Sequence, residues 1–472
     1  MSTTQQQPFS GRLLMVGYGS IGRGVLPLLL RHIAIEPSEL TIICPSAAAR
    51  EAAKQFGVAV LREALTEENF RQCLEAQLKP GDFLLNLSVE VSSQALLAFC
   101  QAHQILYLDT CTEPWAGGYN ETDQEPEERT NYALRHGVLA LRGSNHTATA
   151  IITHGANPGL VSHLVKRALE TLANDLGQTL PPSMQRQDWA RLAQALGVKV
   201  IHIAEYDSQC ADRHKESGEF VNTWSVEGFI AEACQPAELG WGSHERTLPA
   251  DARRHPYGSQ AAIFLERPGA ATPVYTWTPG VGPTLGLLVT HSEAISISEY
   301  LTVGDGSHPD YRPTVHYAYR PCDDALLSLY ELAAHHWQPQ ARQRLLDDDI
   351  TVGSDELGVL LLGHKRNAYW YGSRLDIDTA RALCPHNSAT SLQVTAAVMA
   401  GVVWSLRNPR RGILEPDDLP HRDILELCAP YLGELNGFYS DWTPLAGRQS
   451  MFPKPNIDPD DPWQFRNFRA GW

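Results

Sequence analysis

The sequence predicts an α/β fold, with a doubly wound parallel sheet at the front of the chain and an α+β unit behind it. Three observations carry this. From residue 12 to about 155 the short apolar runs RLLMV, LTIIC, DFLLNLS, ILYLDT and TAIITHGANPG alternate with helix-length segments, the rhythm of parallel strands joined by crossover helices. The first run passes straight into a glycine turn, GYGSIGRG, and then into VLPLLLRHI. After Pro158 the pattern changes to longer amphipathic stretches, polar connectors and clusters such as PVYTWTPGVGPTLG.

At 472 residues the chain exceeds one ordinary core. Residues 1–155 are expected to form the sheet domain and residues 156–387 the α+β substrate domain. The small-residue-rich stretch SATSLQVTAAVMAGVVWSL suits a buried helix, so residues 388–450 are expected to return to the first domain. The Pro- and Asp-rich end, 451–472, reads as a surface arm.

Lys and Arg number 38 against 54 Asp and Glu, a formal charge of -16. That balance repels nucleic acid and anionic membranes and attracts cations. The nine cysteines are scattered with no CxxC pair, so no metal site is expected and the thiols suit a reducing cytoplasm. No signal pattern opens the chain, and the apolar stretch AAVMAGVVW is short for a bilayer span. The expectation is a soluble cytoplasmic protein.

Gly17, Gly19 and Gly22 form a GxGxxG between a strand-like run and a helix, the setting in which it binds a dinucleotide. Gly17 makes the turn, Gly19 lets the pyrophosphate approach and Gly22 lets the helix pack. With Ser20 and Ile21, they would present free N–H groups and a partial positive charge to the phosphates. The acid that usually holds the ribose is missing, since LTIIC ends in Cys44. No Arg stands beside Cys44 either; the next is Arg50, so NAD is favoured over NADP. Ser88, Asp109 and Thr110 sit at strand ends where such sheets bind ligands.

The stretches THGANPGLVSHLVK, EFVNTWSVEGF, ELGWGSHE, WTPGVGPTLGLLVTHSEAISISEYLT and YRPTVHYAYRPC, with GYGSIGRG, resemble the bacterial homospermidine synthases, within the saccharopine-dehydrogenase-like fold. The resemblance runs from about residue 12 to 450. It implies a Rossmann-like NAD domain, a homodimer, and a transferase that borrows a hydride. One putrescine is oxidised to an imine, ammonia is lost, a second putrescine (or spermidine) condenses, and the same hydride reduces the new imine. Such chemistry calls for carboxylates to hold ammonium groups, a base, and an aromatic wall that excludes water.

By resemblance, Trp224 is the substrate tryptophan, although on residue type alone a core position is the default for one of eleven tryptophans. Glu232, eight residues on, anchors or deprotonates the reacting amine, and one helix could carry both. Glu205 follows an alternating strand pattern that turns its carboxylate inward, where a charge needs a cation; the family's matching glutamate binds the amine. Asn157, at a strand-to-helix turn, would touch the polyamine or nicotinamide. His291 would relay protons near neutral pH. Glu113, Glu90 and Asp355 form an acidic track that draws the diamine in. One rival is a net-redox dehydrogenase of the saccharopine or carboxyspermidine type, whose carboxylate substrates call for Arg and Lys clamps; another is a non-catalytic NAD sensor.

Overall fold

The computed structural model describes residues 6–118, 125–143, 147–448 and 457–471. Short, almost uninterrupted apolar runs form the middle of the first sheet, as expected of parallel strands covered by helices on both faces. Leu13–Val16, Phe83–Asn86 and Leu106–Asp109 are buried at every position, and Leu40–Ile43 at all but Thr41. The sheet has seven strands in the order Ile413–Leu414, Ala150–Ile151, Leu106–Asp109, Phe83–Asn86, Leu13–Val16, Leu40–Ile43, Ala59–Leu61, and every pair is parallel. The chain winds outward from Leu13–Val16 on one side and returns on its other side through Phe83–Asn86. This reversal opens a crevice at the carboxyl ends of those two strands, where open α/β sheets bind ligands.

Of the run TAIITHGANPG only Ala150–Ile151 pairs as a strand. The rest turns through Thr153 and Gly159, both at positive φ, into the helix Leu160–Asp175. The second sheet is mixed and ten-stranded. Its main path runs Ala252–Arg254, Ala262–Pro268, Pro236–Gly240, Thr314–Arg320, Val200–Asp207, Ser354–His364, Asn367–Asp376, Glu434–Ser440, with the hairpin of Pro273–Thr278 and Gly282–Leu287 branching onto Thr314–Arg320. Val200–Asp207 pairs in parallel with Thr314–Arg320 and antiparallel with Ser354–His364, so Glu205 lies beside both Tyr319 and Leu357 in register.

The segment 388–450 is shared out. The helix Ala389–Arg407 packs along Ser20–His32 and also meets the strands Ser354–His364 and Asn367–Asp376. Ile413–Leu414 joins the seven-stranded sheet, while Glu434–Ser440 extends the ten-stranded one. This helix is 19 residues long with a mean hydropathy of 1.4, enough to cross a bilayer by length and composition, which the sequence reading of AAVMAGVVW had denied it. With 89% of that window buried inside the protein, it is a core helix between the two sheets. The end of the chain also differs from the expected surface arm. Its residues 451–456 and 472 lie outside the described residues, but Trp463, Phe465 and Phe468 are buried, the last two against the ring of His316. Aromatic burial outweighs the polar composition of the segment.

The sheets are tied by Arg135, on the helix Asn131–Leu139 of the first unit. Its Nε and Nη2 donate to the two oxygens of Glu415 at 2.6 and 2.8 Å, and Nη1 donates to Glu299 on Ser292–Tyr300 at 2.7 Å. Removing one partner of a buried ion group leaves the others desolvated without compensation. Arg135→Met, which keeps the bulk but not the charge, is therefore expected to cost about 3–5 kcal/mol in urea unfolding; a loss below about 1 kcal/mol would show that the cluster does not hold the units together.

Candidate functional site

The strand-to-helix turn is built as its glycines require. Gly17 has φ +90, and a Cβ there would meet the Leu87 carbonyl oxygen at 2.6 Å. A Cβ on Gly22 would strike the Gly17 oxygen at 2.8 Å, so Gly22 lets the helix press on the turn. At Gly19 a Cβ would meet nothing within 4 Å, because that face opens into the crevice. The helix Ser20–His32 starts with no side-chain cap and no acid in its first turn, leaving its N–H groups and positive dipole end for an anion. The dinucleotide fits this donor set.

From this turn a cleft with a cavity volume of about 140 Å³ extends between the two sheets. Of the residues the sequence pointed to, Gly19, Ser20, Ile21, Ser88, Thr110, Glu113, Asn157, Glu205, Trp224, Glu232 and His291 line it. Gly17 and Gly22 shape it from behind. Asp109 does not line it: its carboxylate accepts from Tyr107 Oη at 2.7 Å and the Thr153 N–H at 2.6 Å, and burial raises its pKa to about 6. It pins two strand ends. The Glu90 side chain is exposed, and only its backbone N–H reaches the cleft wall, donating to Glu113 Oε2 at 3.2 Å. Asp355, expected on an access track, is fully buried and accepts a hydrogen bond from Thr390 Oγ1.

Trp224 and Glu232 do not share a helix. Ser225 caps the helix Val226–Cys234 by accepting the Gly228 N–H at 3.1 Å, which leaves Trp224 just outside it. The indole Nε1 donates to Tyr319 Oη at 3.2 Å and its ring leans on Phe229 at 5.2 Å, so the side chain is held at the wall. Glu232, two turns into the helix, accepts from His291 Nε2 at 3.1 Å. The other ring nitrogen of His291 faces Glu293 at 3.2 Å. Burial pulls the imidazole down, but the charges and hydrogen bonds of Glu293 and Glu232 outweigh it and raise the pKa to about 10. The histidine is therefore a cation at neutral pH that donates to Glu232 and Glu293, rather than a ring free to shuttle protons.

At the other end, Glu205 Oε2 accepts from Asn157 Nδ2 at 3.0 Å and from the hydroxyl of Tyr317. Tyr317 also lies against His291, centroids 4.4 Å apart, and stacks on Tyr319 at 5.2 Å. Burial raises the pKa values of Glu205, Asp207 and Asp355, which stand close enough to raise one another in part. Asp207 Oδ2 accepts from Thr223, next to Trp224, at 2.6 Å. The sequence singled out neither Tyr317, Tyr319, Thr390 nor Asp207. The alternation YAY in YRPTVHYAYRPC marked a strand, but only its register beside Val200–Asp207 aims Tyr317 and Tyr319 at the cleft.

Carboxylates, an imidazolium and an indole in one cleft, with no Lys or Arg among its described lining residues, suit cationic amines. Similarity to known proteins agrees. The saccharopine dehydrogenase NADP binding domain matches residues 13–152, and the saccharopine dehydrogenase C-terminal domain matches residues 155–439. A homospermidine synthase of Blastochloris viridis is 52% identical over 463 residues, covering 97% of each chain. The chain belongs to the homospermidine synthase family. A second homospermidine synthase, from Mesorhizobium japonicum, is 47% identical over 97% of this chain and 96% of its own. The structure of the homospermidine synthase of Legionella pneumophila in complex with NAD is 44% identical, covers 100% of both chains and superposes with a TM-score of 0.92. The family relation confirms the two-part α/β architecture.

The His291 geometry has a consequence for stability against pH. Its folded pKa of about 10 lies above the ordinary histidine value of 6.5, so its contribution is complete below about pH 6.5 and is lost as pH rises through about 10. The melting temperature of wild type should exceed that of His291→Gln most at pH 6.5, with the gap closing toward pH 10; a constant gap would refute the ion triad.

Proposed function

We propose that the chain joins two putrescine molecules into homospermidine with release of ammonia, using NAD without net consumption, and that spermidine also serves in the donor–acceptor pair. The observation that carries this is the Glu232–His291 pair opening beside Trp224 in a cleft with carboxylates at both ends. A saccharopine-type substrate would bring carboxylates of its own, which this lining would repel. A non-catalytic sensor gives no reason to bury two further acids, Asp207 and Asp355, beside Glu205.

NAD, when bound, supplies a hydride acceptor that returns the same hydride to the new carbon–nitrogen double bond. The N–H groups of Ser20 and Ile21 would hold its pyrophosphate, with Ser88 and Thr110 beside it. The chain's own residues do the rest. Glu232 takes a proton from the reacting ammonium, because only the free amine releases hydride from its carbon. His291, charged, holds the Glu232 side chain in place. Glu205, oriented by Asn157 and Tyr317, receives the distal ammonium, and its partners Asp207 and Asp355 give up shared protons as that cation arrives. The face of Trp224 stabilises the cationic imine, and its indole closes the wall against water that would hydrolyse it. Glu113 lies nearer the exposed Glu90 and meets the incoming amine.

We read the chain further as a homodimer of the cytoplasm, without nucleic-acid or membrane partners. Family membership supports the dimer, and nine unpaired cysteines with a charge of -16 support the compartment and the choice of cationic ligands.

Putrescine with catalytic NAD should give homospermidine and ammonia with no lasting absorbance of reduced cofactor; stoichiometric reduction would favour a dehydrogenase. Glu232→Gln, similar in shape but unable to take the proton, should lower kcat about 100-fold with NAD affinity nearly unchanged. Undiminished turnover would place the base elsewhere.

A further inference from the structure

The cleft has a side lobe behind Glu232 and His291. Its cavity volume is about 20 Å³, against about 140 Å³ for the main space. Glu113, Glu232 and His291 belong to both, whereas Asn131, Gln235 and Thr290 line the lobe alone. A volume of this size holds one water-sized molecule and excludes a butyl chain. The added walls are polar and uncharged. Asn131 Nδ2 donates to Thr290 Oγ1 at 3.0 Å and approaches Gln235 Oε1 at 3.5 Å. Gln235 is 4% exposed, yet its Nε2 donates to no described residue. Gln235 lines the lobe, so its amide N–H groups are open to a small acceptor that enters there.

We propose that this lobe binds the ammonia set free when the second amine enters, an inference that rests on the reaction proposed above. In that exchange the acceptor's free amine nitrogen forms a bond to the carbon of the protonated imine, whose π pair moves onto the original nitrogen. The new nitrogen then passes one proton to the original one. The bond from carbon to the original nitrogen breaks, its electron pair leaving with ammonia, and the new nitrogen is left in the new protonated imine. The exchange is reversible, so ammonia left at the carbon would regenerate the first imine. The lobe opens at Glu232 and has room for the leaving molecule alone. Gln235 Nε2 donates to the nitrogen lone pair of ammonia, and the oxygens of Thr290 and Glu232 accept its hydrogens. The chain-bearing imine, too large to follow, stays beside Trp224 and Glu205.

The test uses the full-length enzyme with NAD and putrescine, and ammonium chloride as the probe. Two quantities are read: the inhibition constant of ammonium, and nitrogen-15 entering putrescine from labelled ammonium, by mass spectrometry. Gln235→Leu removes the donor at similar volume and should raise the inhibition constant about fivefold or more, and cut the label to match. The KM for putrescine should stay within about twofold, because the chain does not enter the lobe. Asn131→Ala keeps the backbone N–H that Glu238 accepts at 2.6 Å, should act in the same direction, and decides alone if the first variant does not fold. Unchanged inhibition and labelling in the folded variants, with wild type making homospermidine, would overturn the ammonia site. Failure of wild type to make homospermidine would instead overturn the reaction beneath it.

Discussion

Both ring nitrogens of His291 face carboxylates, Glu232 at 3.1 Å and Glu293 at 3.2 Å, with the residue only 6% exposed. A single imidazolium between two acids fixes the charge state of the whole site. It holds the side chains of Glu232 and Glu293 in place from the two sides of one ring. It also presses on Tyr317, whose hydroxyl binds Glu205, so Glu232 at one end and Glu205 at the other, the base and the anchor we propose, are joined through adjoining rings. Neither sheet holds this arrangement alone. His291 and Glu293 stand where the helix Ser292–Tyr300 begins, Glu232 comes from a second helix and Tyr317 from a strand of the ten-stranded sheet.

The remaining charges divide between structure and substrate. Arg135 is engaged by both Glu415 and Glu299 where the units meet, so these charges serve the structure and not a ligand. Glu205, Asp207 and Asp355 are buried together, and the tendency of burial to protonate them is what an arriving diammonium chain reverses. An acidic cleft held without Lys or Arg is costly when empty, which is one reason it prefers a cation to a neutral or acidic substrate.

How much of this was legible in the sequence follows from how local each feature is. GYGSIGRG could be read because its demands are steric and lie within a few residues: Gly17 must take a positive φ and Gly22 must touch Gly17. The parallel sheet was legible from its apolar runs. The spacing from Trp224 to Glu232 suggested one helix, yet Ser225 begins a new one between them, a capping signal that lay in the sequence and was outweighed by the count of turns. Asp109 was placed near ligands by its strand-end position and Asp355 by the resemblance, but which way each carboxylate turns depends on partners elsewhere in the chain, Thr153 for one and Thr390 for the other. Tyr317, Tyr319 and Asn131 were out of reach for the same reason. Their roles come from register and packing between segments more than a hundred residues apart. The burial of Phe465 and Phe468 escaped because a polar composition described the average of a segment whose aromatic members decide its place.

The central claim is that the cleft keeps one hydride, taken from a carbon of the first putrescine and returned to that same carbon once the second amine is joined to it, while amines change places at Glu232. It is tested most directly with putrescine carrying deuterium on both terminal carbons, supplied with NAD and an excess of unlabelled reduced cofactor. If the imine stays enclosed by Trp224 and reduction precedes cofactor exchange, mass spectrometry will find homospermidine that retains every deuterium. Homospermidine lacking one deuterium would mean that the hydride comes from the surrounding pool, and would contradict the account.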